Sequence, residues 1–207
     1  MKNIKNSIGL IIILSIFIGC SDVVDFDPHD EYAVTELDYL RTASDYQTMA
    51  VSCYTPTQWL NGIMVIGDIA SDNAVAGGEN ASDVLTLQNI DDYDYKLLAN
   101  NSTLEDLWKS AYEGVNRTNY LIKYKDANLL GETITFDGKE ALYGEIKFLR
   151  AYYYYNLTRM FGDVVLFTNG KLGISDFGTL QRSPQADVYA QIEIDLKEAI
   201  NVLPTSQ

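Results

Sequence analysis

The chain has 207 residues, of which 15 are basic and 29 acidic, giving a formal net charge of −14 at pH 7. A chain this acidic lacks the surplus of Lys and Arg with which proteins neutralise phosphates, which excludes nucleic acid as a partner. Its length and its 47% apolar content suffice for the core of one domain of ordinary size.

The N-terminus has the pattern of an export signal that ends at a cysteine. Lys2 and Lys5 precede an apolar run over 8–18, which is long enough for a signal peptide but too short to span a bilayer. Cys20 follows shortly after this run, and its thiol is a suitable acceptor for a diacylglyceryl group. We predict a signal peptide over 1–19 and a lipid anchor at Cys20. The alternative is an ordinary secretory signal that is cleaved nearby.

The next segment, 20–34, is acidic, contains Pro28 and lacks apolar periodicity. It predicts an extended tether between the lipid and a folded domain over 35–207. Because an acidic chain is repelled by anionic head groups, the acyl chains at Cys20 are expected to supply the membrane affinity.

The inventory of reactive side chains argues against catalysis in the domain. His29 is the single histidine and lies in the predicted tether, so a Ser-His or Cys-His arrangement is not expected. With Cys20 lipidated, Cys53 has no partner for an intramolecular disulfide. We therefore predict a protein that is not an enzyme and that needs no cofactor, although the many carboxylates leave a glycosidase pair open by number alone.

The first predicted helix runs from about Ser44 to Trp59. Apolar residues at steps of three and four place Cys53 on its buried face, where an inert core thiol is expected. Pro56 is expected to stop or kink this helix near its end.

Residues 62–100 are rich in Gly, Asn, Asp and Ser, which predicts a long irregular segment. Such a segment inside a compact domain is more often functional than accidental. Its carboxylates at 91, 92 and 94 suggest calcium as an alternative, but the glycine and the distal glutamate of an EF-hand loop are missing. We therefore predict no metal site.

Two longer helices are predicted next, over Leu104–Lys125 and Lys139–Phe161, each with a broad apolar stripe. Thr103 is a suitable cap for the former. Gly162 is the natural end of the latter, and it is followed by a short extended run over 164–167.

The last predicted helix opens at Ser183-Pro184, a side-chain cap followed by proline at the first helical position, and ends before Pro204. Antiparallel helices joined by loops make the predicted fold class mostly α. The arrangement is that of a tetratricopeptide-like helical scaffold with long irregular loops.

The run EIKFLRAYYY at 145–154, followed by FGDV at 161–164, closely resembles the signature helix of the SusD/RagB family. The segment 182–204 looks like the next helix of that family, and Asp68 with the pair at 71–72 resembles the loop after its first helix. The resemblance covers essentially the whole chain. Because family members are considerably longer, it implies the N-terminal half of a SusD-like fold, apparently truncated at its C-terminus. Either the gene is truncated or the chain is a partial sequence, and in both cases the last helix is expected to lack a packing partner.

This resemblance also implies a function. Family members are nutrient-binding lipoproteins of the bacterial outer membrane that face the cell exterior. They bind oligo- or polysaccharides and deliver them to a TonB-dependent outer-membrane barrel of the SusC type, without catalysis. The alternative is a truncated tetratricopeptide-like scaffold that holds a protein partner and has no ligand site of its own.

A glycan site needs aromatic rings that stack on sugar faces and amides or carboxylates that bind hydroxyl groups. The irregular segment and its surroundings supply both kinds of side chain. The candidate ligand residues are Trp59, Asp72, Asn73, Asn80, Tyr93 and Tyr95.

Overall fold

A computed structural model describes residues 39–205 except 72, 81, 171–175 and 177. The side chains of residues 59, 60 and 95 also lie outside the description. The predicted signal peptide, the lipid anchor at Cys20 and the tether fall outside it too. Within the described part, no helix has the length and apolar character needed to cross a bilayer.

The first helix, α1, covers Ala43–Tyr54. It begins at a capping box in which the backbone N–H of Thr42 donates to Asp45 Oδ2 at 2.7 Å and the N–H of Asp45 donates to Thr42 Oγ1 at 3.3 Å. A 3-10 helix over Thr55–Asn61 follows directly. The predicted α-helix to residue 59 is therefore wrong in its last turn, because Pro56 has no N–H for an α-helical hydrogen bond.

Side chains from two other helices donate hydrogen bonds to carbonyls at the C-terminal end of α1. Arg117 Nη1 donates to the carbonyl of Ser52 at 2.7 Å. The hydroxyl of Tyr153 donates to the carbonyl of Cys53 at 2.6 Å. The Ser52 carbonyl also accepts from the backbone N–H of Thr55, and the two side-chain bonds tie the end of α1 to the helices that carry Arg117 and Tyr153.

The prediction of one irregular segment over 62–100 is wrong in large part. Three helices lie there, namely α2 (Gly62–Ile69), α3 (Leu85–Asp91) and α4 (Tyr95–Leu98). Short helices with few apolar repeats carry little periodicity in the sequence, but tertiary burial of Ile66, Ile69 and Ile90 stabilises them. The irregular part is shorter and covers 70–84.

The long helix α5 covers Ser102–Lys123. Its cap is Asn101, not the predicted Thr103: Asn101 Oδ1 accepts from the backbone N–H of Thr103 at 3.1 Å and from that of Leu104 at 3.3 Å. The helix starts two residues earlier than predicted because asparagine is the stronger cap.

The helix α6 covers Lys139–Phe161, as predicted, and ends at Gly162, whose φ of 72° is easy only for glycine. The last helix, α7, covers Gln185–Val202 with Pro184 at the cap position. The predicted side-chain cap at Ser183 is not formed, since this helix start has no side-chain capping hydrogen bond. The backbone of Ser183 pairs instead with Val164 in an isolated antiparallel bridge. In the predicted extended run over 164–167, Val164 is the residue that makes this bridge.

Helix α6 lies between α5 and α7 and packs on both. Small residues allow this close approach, since a Cβ at Gly114 would run into the ring of Tyr153 and one at Gly144 would lie 2.6 Å from Val202. The predicted inner face of α7, including Val188 and Ala199, is buried against α6. The expectation that the last helix lacks a packing partner is therefore wrong.

A buried polar network joins these three helices. Arg150 on α6 donates to both carboxylate oxygens of Asp195 on α7, from Nε at 2.8 Å and from Nη2 at 2.6 Å. Its Nη1 donates to Asn119 Oδ1 on α5 at 2.8 Å, and Asn119 donates to the carbonyl of Phe167 at 3.0 Å. The fork of the guanidinium thus fixes the mutual register of the helices.

Several tyrosines belong to the core, and so does Cys53, for which the core position was predicted. Tyr46, Tyr143 and Tyr154 are buried, and each hydroxyl donates to a backbone carbonyl of another segment. Cys53 is fully buried, and burial raises the pKa of its thiol to about 12. A thiol with such a pKa stays protonated near neutral pH and is a poor nucleophile.

Candidate functional site

The predicted ligand residues centre on the segment from the end of α2 to the start of α4, residues 70–94, which we call the 70–94 loop surface. The structure describes three of the six, namely Asn73, Asn80 and Tyr93. Asp72 lies outside the described residues, as do the side chains of Trp59 and Tyr95.

Tyr93 has the geometry of a presented aromatic ring. It lies two residues after α3 with a φ of 48°, in the left-handed region that a bulky side chain rarely adopts. Its hydroxyl donates to the carbonyl of Ala70 at 2.5 Å, while 51% of the residue stays exposed. The ring is therefore held at its tip, and much of its surface is open to solvent.

The carboxylates of the 70–94 loop surface hold its backbone in place. Asp83 Oδ2 accepts from the N–H of Glu79 at 2.9 Å, and Asp91 Oδ2 accepts from the N–H of Ala76 at 2.9 Å. Among the described side chains, no group of three or more His, Cys, Asp or Glu is placed to hold a metal ion. Both acids thus accept from backbone N–H groups of residues that precede them and hold this part of the chain in place.

The two asparagines differ in how much of the amide is already used. Asn80 Oδ1 accepts from the N–H of Ser82 at 2.9 Å, so its NH2 group is the part left for a ligand. Asn73 is exposed and follows α2 closely, three residues after the Ala70 carbonyl that binds Tyr93. The structure thus places Asn73 and Tyr93 at the same end of α2, while Asn80 belongs to a separate turn.

A cleft of about 550 Å³ lies at the start of α5, and no sequence pattern predicted it. We call it the Trp108 cleft. Trp108 meets Phe161 edge-on at 5.1 Å between ring centroids, and the guanidinium of Arg182 lies 5.6 Å from the centre of the Trp108 ring. Its lining is Leu98, Ala99, Asn100, Asn101, Leu104, Glu105, Trp108, Phe161 and Arg182.

A family model for SusD-like proteins, described as starch-binding and associating with the outer membrane, matches residues 25–207. This match covers most of the chain. The chain belongs to the SusD-like family.

Two curated SusD-like proteins of Formosa agariphila are similar along nearly the whole chain. SusD-like protein P2 is 23% identical over 211 residues, which cover 98% of this chain and 39% of that protein. SusD-like protein P38 is 25% identical over 206 residues, which cover 96% and 37%. The chain therefore spans about two fifths of the length of the curated relatives it matches.

Solved SusD-like structures share its fold. A laminarin-binding SusD-like protein superposes with a TM-score of 0.66 at 27% identity, covering 79% of this chain and 34% of that one. Surface glycan-binding protein A from Bacteroides uniformis superposes with a TM-score of 0.64 at 25% identity, covering 77% and 34%. These neighbours confirm the predicted tetratricopeptide-like helical class, and the partial coverage fits the N-terminal half of a SusD-like fold.

Sequence reasoning found the loop of this SusD-like chain but missed the cleft. Glycine- and asparagine-rich composition marks a loop directly. The cleft joins Trp108, which lies in the apolar stripe predicted for the helix over 104–125, to Arg182, which lies much later in the chain. The sequence signal for this cleft was weak. It was the position of an aromatic residue, Trp108, in the first two turns of α5, from which its ring can reach the N-terminal end of the helix.

Proposed function

We propose that this chain binds a glycan at the bacterial outer membrane. The observation that carries the proposal is the match of the SusD-like family model, described as starch-binding and associating with the outer membrane, over residues 25–207. Two similar solved structures are named for binding laminarin or surface glycans, which supports a carbohydrate as the ligand.

The proposed site is the 70–94 loop surface. The half-exposed ring of Tyr93 is suited to stack on a sugar face, because its hydroxyl is fixed to Ala70 and little entropy is lost on binding. Asn73 and the free NH2 group of Asn80 are suited to bind hydroxyl groups. Trp59, Asp72 and Tyr95 remain candidates from the sequence.

The proposal includes the route to the membrane. A diacylglyceryl group on Cys20 and the acidic tether over 20–34 would hold the domain at the outer membrane, facing the exterior. The glycan would then pass to a TonB-dependent barrel of the SusC type. The chain binds and does not catalyse, in keeping with the carbohydrate-binding family to which it belongs.

A second candidate function, a protein-interaction scaffold without a ligand site, is favoured by the outer surface of α6. Phe148, Tyr152 and Tyr155 are each exposed by more than a third and form a shallow groove with Ile192 and Leu196 of α7. Exposed aromatic patches of this kind mark interaction surfaces. Affinity purification of the lipidated chain from its own outer membrane separates the roles: a co-purifying TonB-dependent barrel supports delivery.

The glycan proposal is tested by isothermal titration of the purified mature chain with laminarin, starch and other polysaccharides. Replacing Tyr93 with asparagine removes the ring while keeping a residue that tolerates positive φ, and should weaken binding about tenfold, as the loss of an aromatic stacking contact does. The matched control is Tyr189→Asn, since Tyr189 is similarly exposed on α7. Equal binding by both variants would place the ligand elsewhere, and binding of no glycan by the parent chain would refute the proposed function.

A further inference from the structure

The Trp108 cleft has the size and the mixed lining of a small-ligand site. Its volume of about 550 Å³ falls within the range of ligand pockets, roughly 300–1,000 Å³. Leu104 and Phe161 supply apolar surface, and Asn100, Glu105 and Arg182 supply polar groups. No residue of the 70–94 loop surface lines the cleft, although Thr86 within that segment accepts a hydrogen bond from Asn101 of the cleft wall.

The arrangement of Arg182 is the feature that points to a ligand. Arg182 is exposed, and two contacts hold its guanidinium: Nη1 donates to the carbonyl of Asp163 at 3.0 Å, and Cζ lies 5.6 Å from the centre of the Trp108 ring. The structure gives it no ion pair with any described carboxylate. Its Nε and Nη2 are therefore left as donors on a preorganised fork, the geometry that matches a carboxylate or a sulfate.

Several other cationic side chains of the described part are paired with carboxylates. Arg117 pairs with Glu113 and Arg150 with Asp195. Lys109 pairs with Glu105 at 2.6 Å, which offsets the one carboxylate that lines the cleft. An anionic group that enters the cleft would thus meet the guanidinium of Arg182, which has no ion pair with a described carboxylate. The carboxylate in the lining, that of Glu105, is already paired with Lys109.

The two asparagines of the cleft differ in how many hydrogen bonds their side chains already make. Asn101 is buried and uses its whole carboxamide, accepting two bonds at the start of α5 and donating to the carbonyl of Thr86 at 2.7 Å. Asn100 beside it is exposed, and no described group bonds to its side chain. Asn100 is therefore available to a ligand hydroxyl group, while Asn101 shapes the wall.

We propose that the Trp108 cleft binds an anionic sugar unit, one bearing a carboxylate or a sulfate ester, with Arg182 as the group that recognises the charge. Leu104 and Phe161 contact the apolar face of the sugar ring, and Asn100 binds a hydroxyl group. The inference rests on the proposed glycan-binding function and adds to it a second subsite and a preference for acidic glycans.

The test is isothermal titration of the mature chain with three oligosaccharides of equal length: oligogalacturonate, a sulfated galactan fragment and a neutral galactan fragment. The parent chain should bind at least one acidic oligosaccharide about tenfold more tightly than the neutral one, and Arg182→Gln should remove that preference. Arg159→Gln is the matched control, since Arg159 also lies over an aromatic ring, Tyr155, but outside the cleft. Whichever acidic arm responds identifies carboxylate or sulfate as the source of charge.

A second variant distinguishes a loss of binding from a loss of folding. Asn100→Asp adds a negative charge to the cleft without touching the contact between Arg182 and Trp108, and should also weaken binding of the acidic oligosaccharide. Equal affinity for acidic and neutral oligosaccharides, or an acidic preference that survives Arg182→Gln, would overturn the inference. If neutral glycans bind and only Tyr93→Asn reduces that binding, the proposed function stands and this inference fails; if no glycan binds, both fail.

Discussion

The buried pair of Arg150 and Asp195 leads to the sharpest prediction of stability. The side chains are 6% and 0% exposed, so solvent screens their interaction little. Asp195→Asn keeps the size of the side chain but leaves the Arg150 guanidinium without its counter-charge. Breaking a buried pair in this way costs about 3–5 kcal/mol in the free energy of unfolding. For an m value of about 2 kcal/mol/M, the urea midpoint should fall by about 1.5–2.5 M.

Urea unfolding followed by far-ultraviolet circular dichroism measures this shift. The control is Glu193→Gln on the same helix, because Glu193 pairs with Lys197 at 3.0 Å at an exposed position and should change stability by about 0.5 kcal/mol or less. Replacing Arg150 with Met and Asp195 with Leu together removes both charges and should recover much of the loss. The reasoning is refuted if Asp195→Asn destabilises the chain no more than Glu193→Gln does.

The remaining predictions concern helix contacts and alkaline pH. Gly114→Ala pushes a methyl group into the ring of Tyr153 and should cost about 1–3 kcal/mol, whereas Gly67→Ala, with nothing within 4 Å, should be neutral or stabilising; equal thermal midpoints for the two variants would contradict the packing of α5 on α6. Burial raises the pKa of Tyr112 to about 12, above the ordinary value near 10. The unfolded chain therefore loses this proton first, so stability present below pH 10 should fall as the pH rises from 10 to 12. Urea midpoints across that range measure the fall, and a Tyr112→Phe chain should show a shallower one.

The long helices were predictable because their signals are local. The range Lys139–Phe161 was predicted to the residue. Its apolar residues recur at steps of three and four, and Gly162 directly after them marks the end of a helix. The predicted end at residue 59 was wrong, because the α-helix stops at Tyr54 and the chain continues through Pro56 as a 3-10 helix; the expectation that Pro56 stops or kinks the helix is confirmed. The prediction over 62–100 also failed, because the short helices there are stabilised by tertiary burial that composition does not reveal.

The candidate site was predictable only as far as side-chain chemistry goes. Residue type and loop composition pointed to Asn80 and Tyr93, but not to the bond that fixes Tyr93 to Ala70 or to the turn that uses half of the Asn80 amide. The partners of Trp108 could not be inferred, since Arg182 reaches it only after the chain has turned back along α6. Such contacts depend on tertiary structure and leave no periodic signal.

The way α1 ends has a consequence for the order in which the domain assembles. The carbonyls of Ser52 and Cys53 are bound by Arg117 and Tyr153, and the latter contact closes a loop of 100 residues. Closing so long a loop is slow, because its entropy is lost before the contact forms. The junction between α1 and the 3-10 helix can therefore reach its final geometry only after the segments that carry Arg117 and Tyr153 have come against it, so α1 is completed by helices that are synthesised after it.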